Sequence, residues 1–231
     1  MKKIKNILYI ILFSLTLYIG ITLTIQPLLL SYKIEKNVED SNDYLTVLKE
    51  GVNEKEEIRE ELQVGVTELK EYPNGTIINK TAVNNNEGSV FGKIVIPTVG
   101  IELPILEGIG GDNLLKGAAT NKRYQTMGQG NYVLASHYME TGQLFSNLES
   151  VKLGDKVYIT DYENIYVYEI TETTVKDPNE VEAKEKLNDT GEQLLTLYTC
   201  TEDGKMRTVV TGMLVGYIEF SLAKEDIASY F

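Results

Sequence analysis

Apolar positions along the chain fall into three textures. The first is unbroken: from Ile7 to Leu30 the run ILYIILFSLTLYIGITLTIQPLLL carries no charge. At 1.5 Å per residue it makes roughly 36 Å of helix, enough to cross a hydrocarbon core of about 30 Å with some tilt. Two readings compete for such a stretch. A cleaved signal peptide has a shorter apolar region that ends in a small-residue A-x-A site. This run ends in bulky Leu28, Leu29 and Leu30, which favours an uncleaved transmembrane anchor. Lys2, Lys3 and Lys5 precede it and acidic residues follow it. The positive-inside rule then places the N-terminus in the cytoplasm and everything after Ser31 outside.

The second texture is polar with a thin apolar stripe. VNEKEEIREELQ is highly charged, and Ile58, Leu62, Val66 and Leu69 recur at helical spacing. This predicts a solvated helical stalk. Tyr72-Pro73-Asn74-Gly75 is a turn signal that ends it, and TAVNNNEGS reads as a linker. The third texture starts at Ser89. VFGKIVIP, IELPIL, NYVLAS, DKVYIT, IYVYEITETTV, LLTLYT and RTVVTGMLVGYI are β-branched and aromatic, and several alternate apolar with polar. Gly, Pro, Asp and Asn separate them. About eight short strands predict an all-β fold, a closed barrel with short helices such as DNLLKG and the segment Leu144 to Ser150. The predicted organisation is a basic tip and anchor (1–30), a charged stalk and linker (31–88), the barrel (89–220) and a polar tail (221–231) with no second membrane span.

Charge narrows the function. The chain carries −12, and setting aside the three N-terminal lysines leaves −15 on the remainder. A nucleic-acid binder presents a basic face, so that class is excluded. There is no Cys/His cluster for zinc and no glycine-rich phosphate loop.

Candidate chemistry centres on LTLYTCTEDGKMR, which holds the only cysteine, Cys200. An odd cysteine in an exported chain is an intermolecular partner or a reactive thiol, with a buried inert thiol as the third reading. Asp203-Gly204 between two strand-like runs signals a type I′ hairpin. A two-residue loop there pairs Glu202 with Lys205, Thr201 with Met206 and Cys200 with Arg207. Opposed residues share a sheet face with Cβ atoms about 4.5–5.5 Å apart, which puts a guanidinium beside the thiol. A fixed cation favours the thiolate and can stabilise an oxyanion. The alternative is a surface arginine beside a strand-end cysteine. The single histidine, His137, also ends a strand-like run, NYVLASH. Nucleophile, acid/base and oxyanion stabiliser are the parts of cysteine acyl transfer.

These residues carry a resemblance to the sortases, membrane-anchored cysteine transpeptidases of Gram-positive bacteria. Thr196-Leu197-Tyr198-Thr199-Cys200 followed by Arg207 resembles the family's T-L-x-T-C signature with an arginine on the next strand. LASHYMETGQLFSNL and GDKVYITD are similar to its histidine segment and the strand after it. The resemblance covers roughly Ser89 to Tyr217 and is closest to class A, the housekeeping group. The pilus-building class adds a lid and a C-terminal anchor, and neither is found here.

The resemblance implies a substrate: a surface protein with a Leu-Pro-x-Thr-Gly (LPXTG) sorting signal. Cys200 attacks the Thr carbonyl, His137 protonates the departing Gly amine, and Arg207 holds the carbonyl oxygen with help from Thr199. The thioacyl enzyme is then taken by an amine of the cell-wall precursor lipid II, and no cofactor is needed. Leu114, Ala135 and Tyr198 match pocket positions, against a plain reading of all three as core. Two other classes stay open: a cysteine hydrolase with water as acceptor, and a membrane-tethered scaffold without activity. Some class A members bind calcium through carboxylates in the loop before the histidine strand. Here that loop, GAATNKRYQTMGQG, has no Asp or Glu and carries Lys122 and Arg123. Calcium takes six to eight oxygen ligands. The later acidic residues Asp177, Glu180, Glu182 and Glu185 lack these partners, so no metal site is expected.

Overall fold

The computed structural model of the protein describes residues 2–60, 90–110, 112–121, 125–181 and 191–231. Leu62, Val66, Leu69, the Tyr72–Gly75 turn signal and the linker lie outside the described residues, as do Lys122, Arg123, Glu182 and Glu185. The chain divides into two compact units, Met1–Lys36 and Asn37–Phe231.

The first unit belongs to helix α1 (Lys2–Glu60), which runs without interruption through Pro27. Its stretch Ile11–Asn42 is long and apolar enough to cross a membrane, with mean hydropathy 1.7. Phe13 and Leu28 are each 70% exposed, as expected of a helix that faces an apolar solvent on all sides. Thr22 and Thr24 donate their hydroxyls back to Ile19 O (2.9 Å) and Gly20 O (3.0 Å). The sequence pattern ends the anchor at Leu30, but the helix does not end there. Glu and Lys are good helix formers, so the change of polarity brings no backbone break.

The second unit contains the strands β1 (Val90–Ile96), β2 (Ile101–Leu106), β3 (Ala118–Thr120), β4 (Asn131–Ala135), β5 (Lys156–Thr160), β6 (Asn164–Lys176), β7 (Leu194–Cys200) and β8 (Arg207–Glu219). They close into a barrel in the order β1-β2-β3-β4-β7-β8-β6-β5. The pairs β2/β3 and β4/β7 are parallel and the others antiparallel. Short 3₁₀ turns, Asn113–Leu115 and Ser146–Ser150, sit where helical pieces are expected. Ile94, Ile105, Tyr132, Leu134, Leu197 and Val210 are fully buried in the core. Leu134, Leu197 and Val210 form one cross-strand row over β4, β7 and β8.

Barrel closure depends on one close approach. The register of β1 slips between Val90 and Gly92, and β1 then pairs with β5 from Lys93 opposite Thr160. A Cβ on residue 92 would stand 2.3 Å from Thr160 O and 2.9 Å from Met127 Cε. Only glycine lets the strands approach this closely.

The polar tail of the sequence reading is folded onto the barrel. After β8 come a 3₁₀ turn, Phe220–Leu222, and a helical turn, Glu225–Ala228. Ile227 and Phe231 pack on the cluster of Tyr162, Ile165 and Phe220. Lys93, itself buried, pairs with Glu102 and donates to Tyr230 O at 2.9 Å.

Candidate active site

The β7–β8 hairpin builds the first half of the site. Its register pairs Cys200 with Arg207 and Thr199 with Thr208, as the sequence predicts. The turn itself differs from expectation. A type I′ turn needs positive φ at both central residues, but Gly204 has φ +73° and Asp203 is not among the positive-φ residues. Instead Gly204 N–H donates to Thr201 O at 2.8 Å, and Thr201 N–H donates to Met206 O at 3.0 Å. Asp203 Oδ1 accepts from Thr201 Oγ1 (2.6 Å) and Lys205 N (3.1 Å). The aspartate side chain thus stabilises a wider loop, Glu202–Lys205. That loop has the same midpoint as the predicted one, so the register survives. The Thr201–Met206 contact makes Cys200–Arg207 the next, non-hydrogen-bonded pair, the kind whose Cα atoms stand closest, at about 4.5 Å.

Arg207 is half-buried, and its Nη1 donates to Met206 O (3.0 Å) and Gly204 O (3.4 Å). These bonds hold the guanidinium against its own hairpin. Nε and Nη2 have no acceptor among the described residues, and a guanidinium has five N–H donors to offer.

Strand β4 supplies the second half. It runs parallel to β7 with Ala135 opposite Tyr198, and Ser136 N–H donates to Tyr198 O at 3.3 Å. Two residues beyond this pair, on both strands, stand His137 and Cys200. The order β4-β7-β8 therefore aligns His137, Cys200 and Arg207 as one row with the thiol in the centre. His137 O accepts from Phe145 N at 3.2 Å, and Tyr138 bridges Leu144. Ser146 Oγ accepts from Met139 N at 2.7 Å. The histidine thus opens a tied-back loop and is not on a free end.

His137 is half-buried, and desolvation holds its imidazole below the ordinary value of 6.5. Beside it, the Tyr138 phenol is held above 10.0, by desolvation first and then by Glu202, Glu149 and Glu140.

Ala135 and Tyr198 oppose each other behind the His137–Cys200–Arg207 row, joined by Ala119 on β3 and Val209 on β8. The small residues Ala119 and Ala135 are buried and Tyr198 is half-buried. Leu114 lies in the Asn113–Leu115 turn, and its carbonyl is 3.3 Å from Ser136 Oγ. The structure therefore brings Leu114, Ala135 and Tyr198 to the surroundings of the site.

Thr199 is placed differently from expectation. Alternation along β7 turns it away from Cys200, and it is 2% exposed with Oγ1 buried and without a hydrogen-bond partner. Its hydroxyl does not share the face on which a substrate oxygen would meet Arg207. Sequence reasoning passed over Ser136 and Ala119. Ser136 stands between two named residues, but its partners are loop carbonyls, which leave no trace in sequence. Among the described residues no three His, Cys, Asp or Glu side chains cluster as metal ligands. Asp177 Oδ1 instead accepts from Asn179 N at 2.9 Å.

The family model described as the sortase domain matches residues 94–215. Sortase A of Bacillus anthracis is 36% identical over 215 residues, 92% of this chain and 97% of that protein. Sortase A of Streptococcus agalactiae is 44% identical over 150 residues, 62% of this chain and 60% of that protein. The fold is similar to the solved structure of sortase A of Listeria monocytogenes, with TM-score 0.53 and 40% identity, covering 56% of this chain and 90% of that one.

Proposed function

The chain belongs to the sortase family of cysteine transpeptidases, and from that premise we propose that it cleaves an LPXTG-type sorting signal between Thr and Gly. The acyl group then passes to an amine of a cell-wall precursor such as lipid II. The observation that carries this reading is the row of His137, Cys200 and Arg207 across β4, β7 and β8. The Cys200 thiolate attacks the Thr carbonyl, and Arg207 stabilises the oxyanion through Nε and Nη2. His137 as imidazolium protonates the Gly amine as the C–N bond breaks. The thioester keeps the acyl group activated without a cofactor. His137 then takes a proton from the incoming amine as the new peptide bond forms and the thiolate leaves. Leu114, Ala135 and Tyr198 line the pocket for the signal. The apolar N-terminal helix supports a single-pass anchor with the N-terminus in the cytoplasm and the catalytic barrel outside.

Mass spectrometry of products from a Leu-Pro-x-Thr-Gly peptide plus an added amine tests this. The expected main product is the amide of the Thr-terminated fragment. A product that is only the free acid at saturating amine would make the protein a hydrolase.

Burial of His137 has a pH consequence. The competent form holds imidazolium and thiolate together. Lowering the imidazole value means that His137 gives up its proton at lower pH in the folded enzyme. The acid limb of kcat/KM reports the lower of the two macroscopic values. That limb is therefore expected below 6.5, and a limb at or above it would contradict the effect of burial.

The carboxylate-free segment Gly117–Gly130 supports activity without calcium. The rate in EGTA is expected to equal the rate in millimolar calcium at matched ionic strength. Saturable activation by calcium, absent with magnesium, would overturn this.

A further inference from the structure

A second row lies behind the catalytic one. Alternation puts Ser136, Thr199 and Thr208 on the opposite face of β4, β7 and β8, in line with the core row of Leu134, Leu197 and Val210. All three hydroxyl residues are buried: Ser136 is 5% exposed, Thr199 2% and Thr208 6%. A buried hydroxyl must find a partner or cost about 1–3 kcal/mol. Ser136 finds its partner outside the sheet. Its Oγ–H donates to Gly117 O at 2.7 Å, with Leu114 O at 3.3 Å as the longer leg.

Both carbonyls belong to the segment that carries Leu114. This segment is tied down at two points. At its entrance the buried Asn113 donates Nδ2 to Gly108 O at 2.8 Å and Glu107 O at 3.1 Å. At its exit stands Ser136. Internal bonds from Leu115 N to Asp112 O and from Gly117 N to Asn113 O make the stretch between them one short rigid turn. Leu114 is in that turn, so the Ser136 hydroxyl fixes where the turn sits against the strand. The next residue on that strand is His137. The Ser136 N–H bonds Tyr198 O, two residues before the nucleophile. One residue thus joins the Leu114 turn, the histidine strand and the cysteine strand.

We propose that Ser136 is a positioning residue for substrate selection, its hydroxyl setting the Leu114 turn against the His137–Cys200 row and so the fit of the apolar Leu-Pro part of the sorting signal. This rests on the reading of Leu114 as pocket-lining. The catalytic row lies on the other sheet face and is held by strand pairing, so loss of the hydroxyl leaves the chemistry in place. The two carbonyls lose their donor, turn toward water, and take Leu114 with them.

The test uses the full chain in detergent, with Ser136→Ala and Ser136→Thr beside the parent. Transpeptidation is measured with Leu-Pro-x-Thr-Gly and with peptides in which Leu or Pro is replaced by Ala. Iodoacetamide alkylation of Cys200 and the melting temperature are followed in parallel. For Ser136→Ala, KM should rise about tenfold with kcat within about twofold, and discrimination at Leu or Pro should fall about tenfold, a shift of about 1.4 kcal/mol. Alkylation should keep its rate and pH profile. Ser136→Thr, which keeps the hydroxyl, should recover most of the discrimination. Unchanged discrimination with only a lower melting temperature would show a purely structural role and overturn the proposal. So would a loss confined to kcat with altered alkylation, because the hydroxyl would then act on the catalytic row. A parent that forms no thioacyl product from any peptide would instead overturn the functional reading itself.

Discussion

Cys200→Ala is expected to fold and to form neither thioacyl enzyme nor peptide product, with activity lower by about four orders of magnitude or more. The residue is half-buried at a strand end, so truncation removes the nucleophile without opening the core. On the proposed mechanism His137→Ala loses a general acid and base, which is worth about 10²–10⁴ in rate. On the same proposal Arg207→Ala removes the oxyanion donor, at about 10²–10³ in kcat. Arg207→Lys should recover little, because an ammonium lacks the planar fork that serves hairpin carbonyls and substrate oxygen together. The three losses will not add, since the residues act as a unit. Product analysis measures activity and circular dichroism confirms the fold. Full activity in any one variant would remove that residue from the mechanism.

Gly92→Ala is expected to destabilise the barrel by about 3 kcal/mol, the upper end for overpacking. The added carbon would stand 2.3 Å from Thr160 O, a backbone atom that no rotamer change can move away. β1 must then retreat from β5 at the point where the barrel closes. For a domain of this size the melting temperature should fall by about 10 °C. A shift under about 2 °C would show that β1 and β5 separate at little cost.

Strands with alternating or β-branched runs were legible from sequence, and the structure forms them where those runs lie. β3 was not. Ala118-Ala119-Thr120 has no alternation and no large side chain, and only its place between β2 and β4 makes it a strand. The Cys200–Arg207 pairing was legible although the turn was not, because a two-residue and a four-residue loop with one midpoint give the same register. The resemblance implied a role for Thr199 beside Arg207, whereas period-2 alternation along β7 and its burial put its hydroxyl on the other face from Cys200. The docking of Ile227 and Phe231 was hidden because their partners, Tyr162 and Ile165, lie far back in the chain.

The strand order also sets when the site comes into being. β7 lies between β4, its parallel neighbour across the whole β5–β6 hairpin, and β8, which follows it. His137 meets Cys200 only after this long loop has closed, and such non-local pairing is entropically costly and slow. A nascent chain that ends before Arg207 holds a thiol without its β8 partner. An incompletely folded enzyme therefore has no means of assembling its reaction centre, and the appearance of activity during refolding should coincide with barrel closure and not with earlier strand formation.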